Sequence, residues 1–144
     1  MQFNYAKGRI IDTIEFISRE MSEFSTDYAQ RQYKEYASDN KLQKLIDRTI
    51  ENILTALIEV SGTVLAENAI MADNYADVLR KTGNFFNFRD DECEILATLA
   101  IQRNRLAHRY LNFRWQVVKY YKDNENTIKK LIYAIFEYEK GKNS

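Results

Sequence analysis

Proline is absent from the 144 residues, and glycine occurs at only four positions, Gly8, Gly62, Gly83 and Gly141. A chain so poor in turn residues argues against an all-β sandwich or barrel and for helices. Cysteine occurs once, at Cys93, so no disulfide can close within one chain and no cysteine-based zinc site can form. Histidine also occurs once, at His108. A metal site would therefore need clustered carboxylates, none stands out, and neither metal nor cofactor is expected. Lys plus Arg and Asp plus Glu balance at 21 each, so no whole-molecule field draws the protein toward nucleic acid. No apolar run approaches the roughly 20 residues of a bilayer span. The start Met1-Gln2-Phe3-Asn4-Tyr5 lacks the basic and apolar regions of a secretion signal, so a cytoplasmic protein without membrane contact is expected.

What is present suits a helical core. Apolar residues make up 45% of the chain and aromatics 13%, enough for one globular domain over residues 1–144. The periodicity predicts an all-α bundle of about five helices. From Asn4 to Phe24, Ile10, Ile14, Ile17, Met21 and Phe24 alternate steps of four and three along a narrow seam. Ser25-Thr26-Asp27 predicts a bend or restart before Tyr28, Tyr33 and Tyr36, and Ser38-Asp39-Asn40 a clearer break. A broad stripe that includes Leu42, Leu45, Ile46, Ile50, Leu57 and Leu65 predicts a long helix ending near Asn68, with Gly62 marking close helix approach. Asp73 is placed to cap a short helix that Gly83 would end, and Asn84-Phe85-Phe86-Asn87-Phe88 reads as a loop docked on the core. Asp90, Asp91 and Glu92 suit the start of the next helix, while Asn112 and Asn124 are candidate caps for the last two.

The residues that do not fit a plain bundle are Arg103-Asn104-Arg105-Leu106-Ala107-His108-Arg109-Tyr110. If the preceding helix continues through them, Leu96, Ala100, Arg103, Ala107 and Tyr110 share one line, with Asn104 and His108 on the neighbouring line. A guanidinium, an amide, an imidazole and a phenol would then face the core side, which a helix rarely tolerates without a reason. Between Ile101 and Lys122 there are also six basic side chains, Arg103, Arg105, Arg109, Arg114, Lys119 and Lys122, and no acidic one. Such a local patch on a neutral protein suits a confined polyanion site, although a solvated basic face is its commoner meaning.

These residue types point to phosphodiester chemistry. An imidazole titrates near neutral pH and serves as general acid or base, and a guanidinium matches phosphate oxygens with forked donors. The motif holds no serine or cysteine nucleophile, but in RNA the substrate's own 2′-hydroxyl can attack the adjacent phosphorus. Arg103 would stabilise the developing charge, Asn104 would orient substrate or imidazole, and Arg105 and Arg109 would contact RNA. One histidine supplies one proton-transfer group, so a symmetric homodimer that pairs two motifs would complete the site.

At this motif the chain resembles the HEPN superfamily, marked by an Arg, usually followed by Asn, and a His five positions after the Arg. With Tyr110 it resembles the narrower Arg-x4-His-x-Tyr pattern of HepT-like toxins, which are encoded with minimal nucleotidyltransferase (MNT) antitoxins; Arg103, Asn104, His108 and Tyr110 all match. The likeness runs loosely from about Leu42, through Asn74-Tyr75-Ala76-Asp77-Val78-Leu79, to about Tyr121. Where family members often carry a Gly-Glu-Ala-like stretch in the second helix, this chain has Val60-Ser61-Gly62-Thr63. The resemblance implies an antiparallel bundle that dimerises with the motifs facing a shared cleft, a metal-independent endoribonuclease, and an antitoxin that transfers AMP to Tyr110 and so inhibits it. A catalytically silent HEPN module that binds a nucleotide and partners a nucleotidyltransferase is the alternative, and a helical dimerisation protein with a merely structural motif the third.

Overall fold

A computed structural model describes residues 9–142, and the expected helix start at Asn4 lies outside them. The described residues form seven α-helices and one 3-10 turn: α1 (Arg9–Asp27), α2 (Tyr33–Ser38), α3 (Asn40–Glu67), α4 (Tyr75–Phe85), α5 (Asp90–Arg103), the turn Asn104–Ala107, α6 (Leu111–Asp123) and α7 (Glu125–Gly141). No strand occurs among them. Six of the α-helices are long enough to show a period, one more than the expected five, while α2 and the 3-10 turn carry too few residues to show one.

The α1 seam is as the spacing predicts, with Ile10, Ile14, Ile17, Met21 and Phe24 all buried. Burial of one such side chain contributes about 1.5–3 kcal/mol, so this seam alone docks the helix. At Ser25-Thr26-Asp27 the chain restarts as expected: α1 ends at Asp27 and, after a turn, α2 begins at Tyr33. In that turn Tyr28 packs edge-on against Phe24 at 6.1 Å. The Ser38-Asp39-Asn40 break does form: Asp39 accepts from the amides of Lys41 and Leu42 and so caps α3.

α3 is the central helix, burying fourteen side chains between Leu42 and Leu65. It packs antiparallel to α1, with Asn52 donating to Glu20 and with Ala56 opposite Phe16 across a shared groove. Leu45, assigned by its spacing to the apolar stripe, is exposed. By length and composition α3 could also cross a bilayer, which corrects the reading that no run approaches that size. Sixty-one per cent of its most apolar window is covered by the other helices, as in a core helix.

Neither Gly62 nor Gly83 plays its expected role. A Cβ on Gly62 would meet nothing within 4 Å, so no helix approaches there. A Cβ on Gly83 would lie 3.0 Å from Cys93 Sγ and 3.1 Å from Leu96 Cδ1, so Gly83 is where α4 and α5 touch. Gly83 also does not end α4, which continues to Phe85. The left-handed residue after the helix is Asn87, with φ 62°, a conformation asparagine tolerates. Phe85 and Phe86 pack edge-on against Tyr138 of α7, and Phe88 is buried beneath Lys130. The aromatic stretch is therefore docked on the core, half of it as helix.

Three expected caps are reassigned. Asn74, not Asp73, caps α4 by accepting from the Asp77 amide at 2.8 Å. The residue before α6 is Tyr110, and Asn112 lies inside the helix, exposed. The Asn124 side chain turns back to donate to the Tyr120 carbonyl at 2.9 Å, closing α6 rather than opening α7. Asp90, Asp91 and Glu92 do open α5, and Glu92, buried, accepts from the Arg89 amide and from Lys130 of α7.

Candidate functional site

α5 stops at Arg103, where a continuous helix was expected. The next four residues tighten into the 3-10 turn, and His108 takes an extended backbone, φ −76° and ψ 141°. The proposed inward line of polar groups therefore does not exist. Leu106 is the one buried residue of the turn, whereas Asn104, Arg105, Ala107, His108, Arg109 and Tyr110 are exposed. Desolvation favours this outcome: a corner held by one leucine lets every polar group after Arg103 stay in water.

Arg103 is half-buried at the end of α5 and held from two sides. Its Nη1 donates to Thr55 Oγ1 of α3 at 3.2 Å, and its guanidinium carbon lies 5.3 Å from the ring centroid of Tyr75 on α4. Both partners are uncharged. The remaining N–H groups of the fork have no acceptor among the described residues. Neither Thr55 nor Tyr75 was singled out from the sequence as a site residue. Tyr75 at least belongs to the segment that carries the family likeness, but Thr55 is found only once the register between α3 and α5 is known.

Around His108 the contacts are aromatic. Its ring centroid lies 4.8 Å from that of Tyr110 and 4.9 Å from that of Phe113. The Tyr110 amide donates to His108 Nδ1 at 3.3 Å, so in this arrangement Nδ1 carries the lone pair and Nε2 the proton. Tyr110 is 52% exposed, with the Arg109 guanidinium 5.6 Å from its ring centroid. The motif thus presents an imidazole and a phenol side by side on the surface.

Arg114, counted with the basic patch, does not belong to it. It turns inward and donates from Nη1 to Asp47 Oδ2 at 2.7 Å and from Nη2 to Gln43 Oε1 at 3.5 Å. Tyr36 donates its hydroxyl to the other Asp47 oxygen at 2.7 Å. Burial pushes the Asp47 carboxyl above its ordinary value, and the bonds from Tyr36 and Arg114 only partly offset it. The Tyr36 hydroxyl is also raised, first by burial and then by the adjacent carboxylate. This network ties the first turn of α6, which follows Tyr110, to α3 and α2.

The electrostatics around the motif are one-sided. Arg31, Arg80, Arg89 and Arg114 each pair with a carboxylate. Arg103, Arg105 and Arg109 form no ion pair among the described residues; Arg19 and Arg48 are also unpaired but stand singly on α1 and α3. Thr55 also lines a groove of about 610 Å³ between α1 and α3, but its walls include Asp12, Glu51 and Glu59, which disfavour a polyanion there. Among the described residues no group of three His, Cys, Asp or Glu side chains is placed to hold a metal ion.

A family model described as HepT-like, Ribonuclease HepT-like, matches residues 13–135. No curated protein matches the chain.

Proposed function

The chain belongs to the HepT-like ribonuclease family, and from that membership we propose that it is a metal-independent endoribonuclease, the toxin of a toxin–antitoxin pair, with its site at the α5–α6 corner. The observation that carries this reading is the cluster of Arg103, Arg105 and Arg109 without a carboxylate beside an exposed imidazole. Permanent cations left unneutralised on a protein of zero net charge favour an external anion, and a phosphodiester supplies one.

In the reaction, an imidazole takes the proton of the RNA 2′-hydroxyl and the oxygen attacks phosphorus. The bond from phosphorus to the 5′-oxygen breaks, and that oxygen leaves with a proton from an acid. The products are a 2′,3′-cyclic phosphate and a 5′-hydroxyl. Arg103, pre-set by Thr55 and Tyr75, meets the charge that grows on the phosphoryl oxygens, Asn104 orients the substrate, and Arg105 and Arg109 hold flanking phosphates. As oriented, the neutral His108 ring offers Nε2–H as a donor to phosphate; to serve as the acid it must be the imidazolium, protonated at both nitrogens, which gives up the contact from the Tyr110 amide. To act as base through Nε2 it gives up the long, exposed contact with the Tyr110 amide and takes the other tautomer. The two roles fall to two copies of His108 across a homodimer, so neither ring need perform both within one turnover.

The partner in this reading is an MNT-type nucleotidyltransferase in the same cytoplasm. It transfers AMP from a nucleoside triphosphate to the Tyr110 oxygen with release of pyrophosphate. Exposure of Tyr110 supports its access, and the added phosphodiester would sit beside Arg109, one of the arginines assigned to RNA.

The test is cleavage of a defined RNA in chelator by wild type, His108→Ala and Arg103→Ala. Loss of about 10²–10⁴ in rate is expected for His108→Ala and about 10²–10³ for Arg103→Ala. Equal cleavage by all three would mean a contaminant and would sink the enzymatic claim. Nucleotide binding without any cleavage would favour the silent module.

A further inference from the structure

Tyr75 is not needed to fold α4. It stands at the first position of the helix, 55% exposed, and takes no part in the buried core, which α4 reaches through Leu79, Thr82 and Gly83. Its ring instead carries the Arg103 guanidinium, whose carbon lies 5.3 Å from the ring centroid. An exposed aromatic ring fixed beside an unneutralised arginine is the arrangement by which proteins hold a single-stranded nucleotide, with the base on the ring and the phosphate on the cation.

We propose that Tyr75 is a nucleobase-stacking platform that binds the base next to the phosphate held by Arg103. This rests on the ribonuclease reading of the same corner and adds to it a nucleotide subsite. The subsite is single-stranded by construction, because a paired base has no free face for the ring. It is tolerant of base identity, since every base offers a π-face. The groove beyond Thr55 carries three carboxylates, Asp12, Glu51 and Glu59, against one cation, Arg9, which disfavours a polyanion there and favours the Tyr75 side of Arg103. The stack also helps the chemistry. In-line attack needs the 2′-oxygen held opposite the leaving oxygen, and fixing the base fixes the ribose that carries it.

A 2′-O-methyl oligonucleotide cannot undergo the attack, so its binding reports the subsite without depending on cleavage. Abasic residues are scanned along it, one per oligonucleotide, against wild type, Tyr75→Phe and Tyr75→Leu. For wild type and Tyr75→Phe, one abasic position is expected to weaken binding about tenfold, within the range for a base on an aromatic ring. For Tyr75→Leu that dip should vanish, whereas a role for Tyr75 in positioning Arg103 alone would weaken every oligonucleotide equally and leave the dip in place. A scan without a dip in wild type, or one that survives in Tyr75→Leu, overturns the subsite. So does a change of oligomeric mass in Tyr75→Leu by sedimentation, which would make this ring part of a protein interface. Failure of the ribonuclease reading is a separate result, absence of cleavage of unmodified RNA by wild type.

Discussion

Arg114 and Asp47 lie 2.7 Å apart with both side chains largely buried, joining the first turn of α6 to the N-terminal third of α3. The pair does more than neutralise charge, because the second Asp47 oxygen accepts from Tyr36 and the Arg114 amide bonds to the Tyr110 carbonyl. Removing one partner strands the other in a low-dielectric pocket. Asp47→Ala or Arg114→Ala is therefore expected to destabilise by about 2–4 kcal/mol, read as a shift in urea midpoint. The double variant Asp47→Ala, Arg114→Ala should be less damaging than the sum of the two. Additive losses would show that the charges do not act as a pair.

Gly83 and Gly62 make opposite predictions from one substitution. An alanine Cβ at Gly83 meets Cys93 Sγ at 3.0 Å and Leu96 Cδ1 at 3.1 Å, and both sit on the facing helix. The overlap should outweigh the gain in helix propensity, so Gly83→Ala should lower stability by about 1–2 kcal/mol. Cys93→Ala removes the nearer atom and should recover part of that loss. At Gly62 nothing lies within 4 Å, and Gly62→Ala should raise stability by up to about 1 kcal/mol. Urea titration of the variants checks both signs.

Helical content, the α1 seam, the Asp39 break and the long central helix are legible in the sequence because each rests on period or on a local cap. The site was legible as a set of residues and illegible as a shape. Projecting Arg103 to Tyr110 onto one helix assumed that α5 continues, whereas burial of Leu106 alone is enough to turn the chain and free the polar groups. Spacing within a segment cannot report what the other helices bring to it. Thr55, Tyr75 and Asp47 enter only through the packing of α3 and α4, and Arg114 looks like its basic neighbours until its carboxylate is found 67 residues away in the chain.

Glu92 makes a prediction about acid. Lys130 and the Arg89 amide hold its carboxyl below the ordinary glutamate range, with the lysine bond the larger influence. A carboxylate whose folded value is depressed adds stability above its unfolded pKa, near pH 4.3, and that contribution is lost as pH falls through the folded value. Glu92→Gln should thus be less stable than wild type at neutral pH, and the gap should close below about pH 4. A gap of constant size from pH 7 to pH 3, measured by urea midpoints, would remove the carboxylate charge from the account.

Tyr110 separates inhibition from catalysis. Its ring packs on His108 and Phe113, while its hydroxyl makes no hydrogen bond among the described residues. Tyr110→Phe keeps the ring and removes the oxygen that would receive AMP, so it should cleave RNA within about twofold of wild type, in keeping with a surface change that leaves packing intact. Co-expressed with the nucleotidyltransferase, wild type should gain the mass of one or more AMP groups and lose activity, and Tyr110→Phe should do neither. In this proposal the inhibition would work through charge, since each added phosphodiester would bring a negative charge beside Arg109, where it would compete with RNA phosphate. An AMP increment that persists in Tyr110→Phe would place the modification elsewhere. Loss of cleavage in unmodified Tyr110→Phe would instead give the phenol a direct part in the chemistry, as the group that supplies the second proton.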